Sequence, residues 1–331
     1  MIFFKNPLLL ISSTWAHKWG PVLLPLISKT FSKKEKHWDN FQWRGLEFSN
    51  RLGIAGGVDK NALNICDWVQ LGAGFIEIGT VTPLPQGPNP GLILDRDIQN
   101  LALWNKMGFP NDGSDLILKR ILKWKSKKNS ERTPLFVNIG KNRTTEISSA
   151  FLDYVLLIKK LESVADVFVI NISSPNTSNL RSLQSQENLE ILIQKVRTTT
   201  QKPLLLKLSP DLTEEQLSSS LMVACKEGID GFILTNTTTR RDGLSKFSTE
   251  GGVSGAPLKD ISEQMLIKTL KILGDQRKGK LIVSVGGVMG FEDFQKRRNL
   301  GADLIEVYAA LAFSGPLFFQ KMAKSFMNSV K

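Results

Sequence analysis

Cysteine and histidine are nearly missing from this chain, with two of each among 331 residues. Cys66 and Cys225 lie far apart in stretches with helical periodicity, and neither they nor His17 and His37 form a CxxC or HxxxH spacing. That argues against a disulfide-stapled fold and against a zinc site, and it fits a reducing compartment. Also missing is any unbroken apolar stretch approaching the ~20 residues that a membrane-spanning helix needs. The first thirty residues are apolar, but Pro7, the run Ser12-Ser13-Thr14, Lys18, Pro21 and Pro25 interrupt them. Their apolar core is short and no small-x-small cleavage pattern follows, so a signal peptide is not expected. Low-complexity linkers are absent too. What remains, 41% hydrophobic and 22% charged residues, describes an ordinary folded chain long enough for one large core.

The charge is one-sided, at +12. Such an excess suits nucleic acid, an anionic membrane surface or simply a basic proteome. Lysines concentrate at Lys33, Lys34 and Lys36 and along KRILKWKSKK (119–128), the second of which reads as a solvated helix face. Aromatic residues there are too few for a groove that stacks single-stranded bases, so no nucleic-acid partner is expected. The first thirty residues read as two short helices, one before Gly20-Pro21 and one after. Their leucines with Trp15 and Trp19 make an apolar surface, and His17 and Lys18 a polar one. The pair either packs on its own domain or lies in a membrane surface.

From Leu52 onward, short apolar runs alternate with helical patterns. The runs are 52–57, 75–80, 135–140, 167–172, 204–209, 231–236, 281–287 and 304–308, with helical periodicity at 148–164 and 213–228 among others. Near-continuous apolar strands alternating with helices predict a parallel sheet covered by helices. Eight such units are the count of a closed (β/α)8 TIM barrel, preceded here by a short helical extension. An open doubly wound sheet would usually carry a GxGxxG after its first strand, and IAGGVDKN is not that. The segment Gly91–Trp104 reads as an insertion on top of the barrel.

Barrel enzymes carry their chemistry at the carboxyl ends of the strands. Those ends hold Asp59, Lys60, Thr80, Asn138, Asn171, Ser174, Asn176, Lys207, Thr235, Asn236, Thr237, Gly286, Gly287 and Tyr308. Asparagine both donates and accepts, so several of them suit a planar ring with alternating C=O and N–H edges. Glycines after the seventh and eighth strands let backbone N–H groups approach an anion, as in the usual barrel phosphate site. A phosphate-bearing cofactor and a ring-shaped polar substrate are implied. No histidine stands at these ends to act as a general base, so an enzyme here relies on serine, lysine or the cofactor.

The stretches NISSPNT (171–177), IEIGTVTP (76–83), NIGKN (138–142), LKLSPDL (206–212), LTNTT (234–238), GGVSG (251–255) and VGGV (285–288) together resemble dihydroorotate dehydrogenase, in its membrane-associated, quinone-dependent class. The resemblance runs from about His17 to the end of the chain. It implies an FMN-containing (β/α)8 barrel that oxidises (S)-dihydroorotate to orotate in pyrimidine (UMP) biosynthesis. One noncovalent FMN would be held by Gly56, Gly57, Val58, Asp59, Lys60, Thr80, Asn138, Asn171, Lys207, Thr235, Gly255, Gly287, Tyr308 and Ala309. The substrate would be read by Lys60, Asn105, Lys106, Met107, Asn171, Asn176, Asn236 and Thr237, with Gly108 and Phe109 closing over it. Ser174 takes the position of the catalytic base, and His17 and Arg96 that of quinone access. The resemblance further implies a quinone as electron acceptor, residues 1–38 as a membrane and quinone-access extension, and residues 39–331 as the catalytic barrel. A monomer held peripherally on the cytoplasmic side of the cell membrane is expected.

The chain departs from the family pattern in four places. Lys106 stands where arginine is common, LILD (92–95) replaces a PRLF-like stretch, Ser178-Asn179 replaces a Pro-Gly pair, and Ala309 replaces a serine or threonine. Two other readings of the motifs are a tRNA-dihydrouridine synthase, which uses a cysteine acid and adds a helical carboxyl-terminal domain, and a non-catalytic flavin-binding relic. Lys60, Ser174, Asn176 and Lys207 together argue against the relic.

Overall fold

The computed structural model describes residues 6–31, 37–127 and 133–330. Lys33, Lys34, Lys36 and Lys128 lie outside the described residues. All eight apolar runs form strands: β1 (Leu52–Asp59), β2 (Ile76–Val81), β3 (Leu135–Ile139), β4 (Val167–Asn171), β5 (Leu204–Leu208), β6 (Gly231–Leu234), β7 (Leu281–Val285) and β8 (Leu304–Val307). Each pairs in parallel with the next, and β8 pairs with β1 through Glu306 and Gly53, which closes the barrel. Helices fill the expected connections. The one at Glu214–Lys226 starts on a capping box in which Thr213 Oγ1 accepts from Gln216 N and Gln216 Oε1 accepts from Thr213 N.

Every strand is buried on both sides, which is why the runs read as continuous apolar sequence. Ile54, Ile76, Ile78, Val137, Phe168 and Leu206 pack outward against the helices, while Phe75, Phe136, Val167, Val169, Leu205 and Leu281 fill the barrel's inside. A short hairpin, Phe41–Trp43 with Leu46–Phe48, plugs the amino-terminal end. Its two-residue turn, Arg44-Gly45, takes positive φ at both positions, the twist that tight hairpins favour. Phe48 meets Phe75 and Phe136 edge-on at centroid distances of 5.9 and 6.2 Å. The inside is therefore closed below and open only above.

The insertion expected over 91–104 is a small antiparallel sheet across the barrel mouth. Leu94–Asp97 pairs with Ala102–Asn105, and that strand pairs with Gly252–Gly255 from the loop after β6. It carries Asn105 over the opening.

The extension differs from expectation. In place of two helices broken at Gly20-Pro21, a single helix α1 (Ser13–Phe31) runs through both Pro21 and Pro25, preceded by a 3-10 turn at Pro7–Leu10. The reason lies outside α1. Pro25 has no N–H to give the carbonyl of Pro21, four residues back, and Asn64 Nδ2 supplies that hydrogen bond at 3.1 Å. Asn64 precedes α2 (Ile65–Leu71), and Asp67 of α2 accepts from Ser28 Oγ at 2.5 Å. A neighbouring helix thus repairs what proline removes. Trp15, Trp19, Val22, Leu23 and Leu26 stay exposed on the opposite side, Leu26 at 67%. Among the described residues no helix is long and apolar enough to cross a membrane.

Replacing Asn64 with alanine leaves the Pro21 carbonyl without its donor. We expect a loss of about 1 kcal/mol, concentrated in the docking of α1. Hydrogen exchange should quicken over residues 13–31 and leave the barrel strands unchanged; uniform protection would show that α1 does not depend on this contact.

Candidate active site

Side chains inside the barrel follow the strand period of two. On β2 the inward positions are Phe75, Glu77 and Gly79; on β3, Phe136 and Asn138; on β5, Leu205 and Lys207; on β8, Leu304 and Glu306. An apolar layer at the bottom is therefore followed by a charged one. Lys207 Nζ lies 2.8 Å from Glu77 Oε1 and 3.8 Å from Glu306 Oε2, and all three side chains are almost wholly shielded from water. The two carboxylates raise the affinity of Lys207 for its proton, against the opposing effect of burial. Gly56 makes room for this layer, because a Cβ there would lie 2.1 Å from Glu77 Oε1.

A polar network stands directly on the charged layer. Asn138 Nδ2 donates to Glu77 Oε1 at 2.5 Å, and its Oδ1 accepts from Thr80 Oγ1 at 2.6 Å and Asn171 Nδ2 at 3.2 Å. Asn171 Oδ1 accepts from Ser173 Oγ at 3.1 Å, and Ser173 Oγ accepts from Asn236 Nδ2 at 3.0 Å. Tyr154, from the helix after β3, fixes the end of β4 by donating to the Asn171 carbonyl at 2.9 Å. These amides have little freedom to turn. Their remaining edges face one open cleft.

That cleft lies at the carboxyl ends of the strands and, with its open mouth, spans about 980 Å³. It gathers Gly56, Gly57, Lys60, Thr80, Asn105, Met107, Gly108, Phe109, Asn171, Ser174, Asn176, Lys207, Thr235, Asn236, Thr237, Gly255, Gly287, Tyr308 and Ala309 on its wall. Asn138 lies behind the wall, bonded to Glu77, Thr80 and Asn171. Lys106 points away, in an ion pair with Glu250. Val58 and Asp59 face a second cavity, and the Asp59 carboxylate accepts from the backbone N–H of Leu63 and Asn64. At one end of the cleft the backbone is bare. Gly287 has φ +72°, and a Cβ on it would sit 2.3 Å from the Lys259 Cα, so only glycine fits.

Ser174 is buried at the cleft wall, and its Oγ accepts from Asn176 N at 3.2 Å. Asn176 Nδ2 donates to Asn105 Oδ1 at 2.7 Å, which ties the loop after β4 to the sheet over the mouth. Asn176 Oδ1 and the neighbouring Thr177 Oγ1 are buried with no partner among the described residues. An unpartnered amide oxygen on a cleft wall is an acceptor awaiting a donor. Gln86 donates to the carbonyls of Gly108 and Phe109 at 2.9 and 3.1 Å, which holds that turn against the opening.

The second cavity, about 1330 Å³, runs between α1 and the barrel top. His17, Arg96, Leu24, Val58, Tyr308 and Leu311 line it, and Lys60 lines both cavities. Lys60 Nζ sits 3.4 Å from His17 Nε2 and donates to the Gly57 carbonyl at 2.9 Å. Burial lowers the Lys60 pKa to about 8, with Asp59 opposing; the Lys60 charge, followed by burial, holds His17 down to about 3. His17 is therefore neutral. The guanidinium of Arg96 donates to the carbonyls of Leu8, Leu9 and Ile11, fastening the extension to the mouth sheet.

Glu77, Glu306, Ser173, Gln86 and Tyr154 were not singled out from the sequence. The first two could have been found by parity, as charged residues two positions from inward-facing neighbours within apolar strands. The others act across loops and leave no local signal.

A closed eight-stranded barrel with a polar cleft at the carboxyl ends of its strands, floored by a buried lysine, defines an enzyme of the (β/α)8 class. Similarity to known proteins narrows the class. A family model described as dihydroorotate dehydrogenase matches residues 40–329. A Thermus thermophilus protein described as dihydroorotate dehydrogenase (quinone) is 41% identical over 280 residues, covering 84% of this chain and 79% of that one. One from Haemophilus ducreyi with the same description is 36% identical over 334 residues, 97% of each chain. The crystal structure of DHODH from Eimeria tenella in complex with ferulenol superposes with a TM-score of 0.85 at 31% identity, covering 96% of this chain and 91% of that one. The chain belongs to the dihydroorotate dehydrogenase family.

Removing the Lys60 charge should release His17. In Lys60→Met, the His17 imidazole should titrate well above its present value of about 3, while remaining burial keeps it somewhat below an exposed histidine. With two histidines in the chain, NMR titration reads this directly. A His17 signal that still fails to titrate would rule out coupling through Lys60.

Proposed function

We propose that the protein oxidises (S)-dihydroorotate to orotate in de novo pyrimidine biosynthesis, passing the electrons through one noncovalent FMN to a membrane quinone. One observation carries the reading. Ser174, Lys60, Lys207 and the amides of Asn105, Asn171, Asn176 and Asn236 sit in or on a single cleft that ends in bare glycine backbone. The fit to FMN is chemical. The Gly255 and Gly287 backbone, with Tyr308 and Ala309, suits a phosphate, and Thr80, Asn171, Lys207 and Thr235 suit a polar ring system. FMN, when bound, supplies a hydride acceptor and a carrier that releases electrons to quinone.

The chain's own part is to bind, orient and take a proton. Lys60 would attract the substrate carboxylate, and Asn105, Asn171, Asn176 and Asn236 would hold the ring edges and present C5 to Ser174. Asn176 Oδ1, unpartnered here, would accept a ring N–H. Ser174 Oγ takes the C5 proton. A hydroxyl is a poor base unless its own proton moves on as the new bond forms; Thr177 Oγ1, three positions along, buried and without a partner among the described residues, would serve as a relay that takes this proton and passes its own on towards solvent. Lys207 places positive charge where negative charge develops on reduction.

The extension serves the second half-reaction in this reading. The cavity under α1 would take the quinone ring near His17, with Arg96 holding Pro7–Leu10 as one wall. Trp15, Trp19, Val22, Leu23 and Leu26 would lie in the cytoplasmic face of the membrane, so the quinone enters without crossing water. Residues 1–38 then form an access element and 39–331 the catalytic barrel.

Ser174→Ala should slow anaerobic flavin reduction by dihydroorotate by roughly 10²–10⁴-fold, the range for losing general-base assistance. Flavin content and orotate binding should change little, since no charge is left buried. Reduction at the wild-type rate would exclude Ser174 as the base.

The exposed face of α1 is tested by replacing Trp15, Trp19 and Leu26 together with glutamine. Binding to anionic vesicles and turnover with a long-chain quinone should fall together, while flavin reduction by dihydroorotate stays at its original rate. Undiminished vesicle binding would place the membrane contact elsewhere.

A further inference from the structure

The charged layer beneath the cleft contains more acid than base. Glu77 and Glu306 lie wholly inside the barrel, and Lys207 is the cation paired with them. Lys207 and Asn138 satisfy Glu77 Oε1, yet Glu77 Oε2 and both oxygens of Glu306 have no hydrogen-bond donor among the described residues. Three buried acceptor oxygens without a protein donor would cost several kcal/mol if both groups were ionised. The arrangement becomes reasonable if one carboxyl carries a proton, because a carboxylic acid donates to its neighbour and two of the three orphans are then paired with each other.

The proton belongs on Glu306. Glu77 has the closer lysine and an amide donor, whereas Glu306 lies 3.8 Å from the ammonium and accepts from no donor among the described residues. Burial and the nearby Glu77 charge push the Glu306 carboxyl well above the usual carboxylate range, with Lys207 opposing. Among the described residues, those two are the charged groups that act on it; its partners across the strands at β1 and β7 are Gly53 and Val285.

We propose that Glu306 is a positioning residue that carries a proton at neutral pH, shared with Glu77, and so holds the charge of the cavity floor at zero. Glu306 and Lys207 both line the cleft, so this charge faces whatever binds there. The proposal rests on reading the cleft as the FMN site. With Glu306 protonated, Glu77 and Lys207 cancel, and the negative charge gained on reduction meets a neutral floor. With Glu306 ionised the floor would carry one net negative charge and oppose reduction.

The test is a double-mutant cycle read on the flavin midpoint potential of loaded protein at neutral pH. Glu306→Gln imitates the neutral acid and should leave the potential near wild type. Glu77→Gln should also leave it near wild type, because the proton then leaves Glu306, whose carboxylate replaces that of Glu77 beside Lys207. The double substitution leaves Lys207 alone and should raise the potential clearly. If both carboxylates are ionised in the native protein, each single variant raises the potential and the two effects add, which overturns the proposal. Carboxyl NMR of wild-type protein labelled with ¹³C-glutamate, taken with and without flavin, needs no variant to fold. It should show one glutamate still protonated well above the ordinary carboxylate range, and its absence would also overturn the proposal. Loss of turnover with dihydroorotate, with this signal intact, would count against the assigned reaction and not against the shared proton.

Discussion

A lysine buried inside a barrel is the constraint on which the rest of this structure depends. An unpaired ammonium in such a place costs several kcal/mol and usually gives up its proton. Glu77 prevents that for Lys207, and the need to bring the two together sets much around them. Gly56 must lack a side chain so that the Glu77 carboxylate can occupy the space. Asn138 must turn its amide to Glu77, which leaves its oxygen for Thr80 and Asn171. The orientation of one amide fixes the next, up to the rim where Asn236 and Ser173 meet. The hairpin 41–48 contributes from below by closing the barrel with aromatic rings, which keeps water away from the charged layer.

Above the rim the structure is held by loops that cross from one strand connection to another. The sheet made by 94–97, 102–105 and 252–255 joins the insertion after β2 to the loop after β6, and Asn105 joins it to the loop after β4 through Asn176. Arg96 and Ser13 fasten the extension to that sheet, and Asn64 and Asp67 fasten it to α2. The mouth is thus a single connected surface assembled from four distant parts of the sequence.

The barrel was legible because strands buried on both faces read as unbroken apolar runs. The eight runs match the eight strands to within about two residues at each end. Reading only the strand ends located Lys60, Asn171, Ser174 and Lys207, but it passed over Glu77 and Glu306, which sit mid-strand in FIEIGT and LIEVY. Their hydrophobic neighbours hid them, and only the parity of the inward positions exposes them. The extension was misread for a different reason. Pro21 and Pro25 do weaken a helix locally, and the hydrogen bond that offsets the loss comes from Asn64, more than forty positions along the chain. Lys106 illustrates the same limit: the family motif put it near the substrate, but its side chain turns outward to Glu250.

Lys60 forms part of the wall of both cavities, and that has a thermodynamic consequence. Its ammonium donates to the Gly57 carbonyl and faces His17 across 3.4 Å, so one charge is felt on two sides. An anion seated in the barrel cleft draws on the same charge that keeps His17 neutral in the cavity under α1. Coupling through a shared group has to be mutual: whatever protonates His17 or adds charge beside it must alter anion affinity in the cleft by the same factor that the anion alters the outer cavity. The two compartments are therefore linked reciprocally, with no moving part between them.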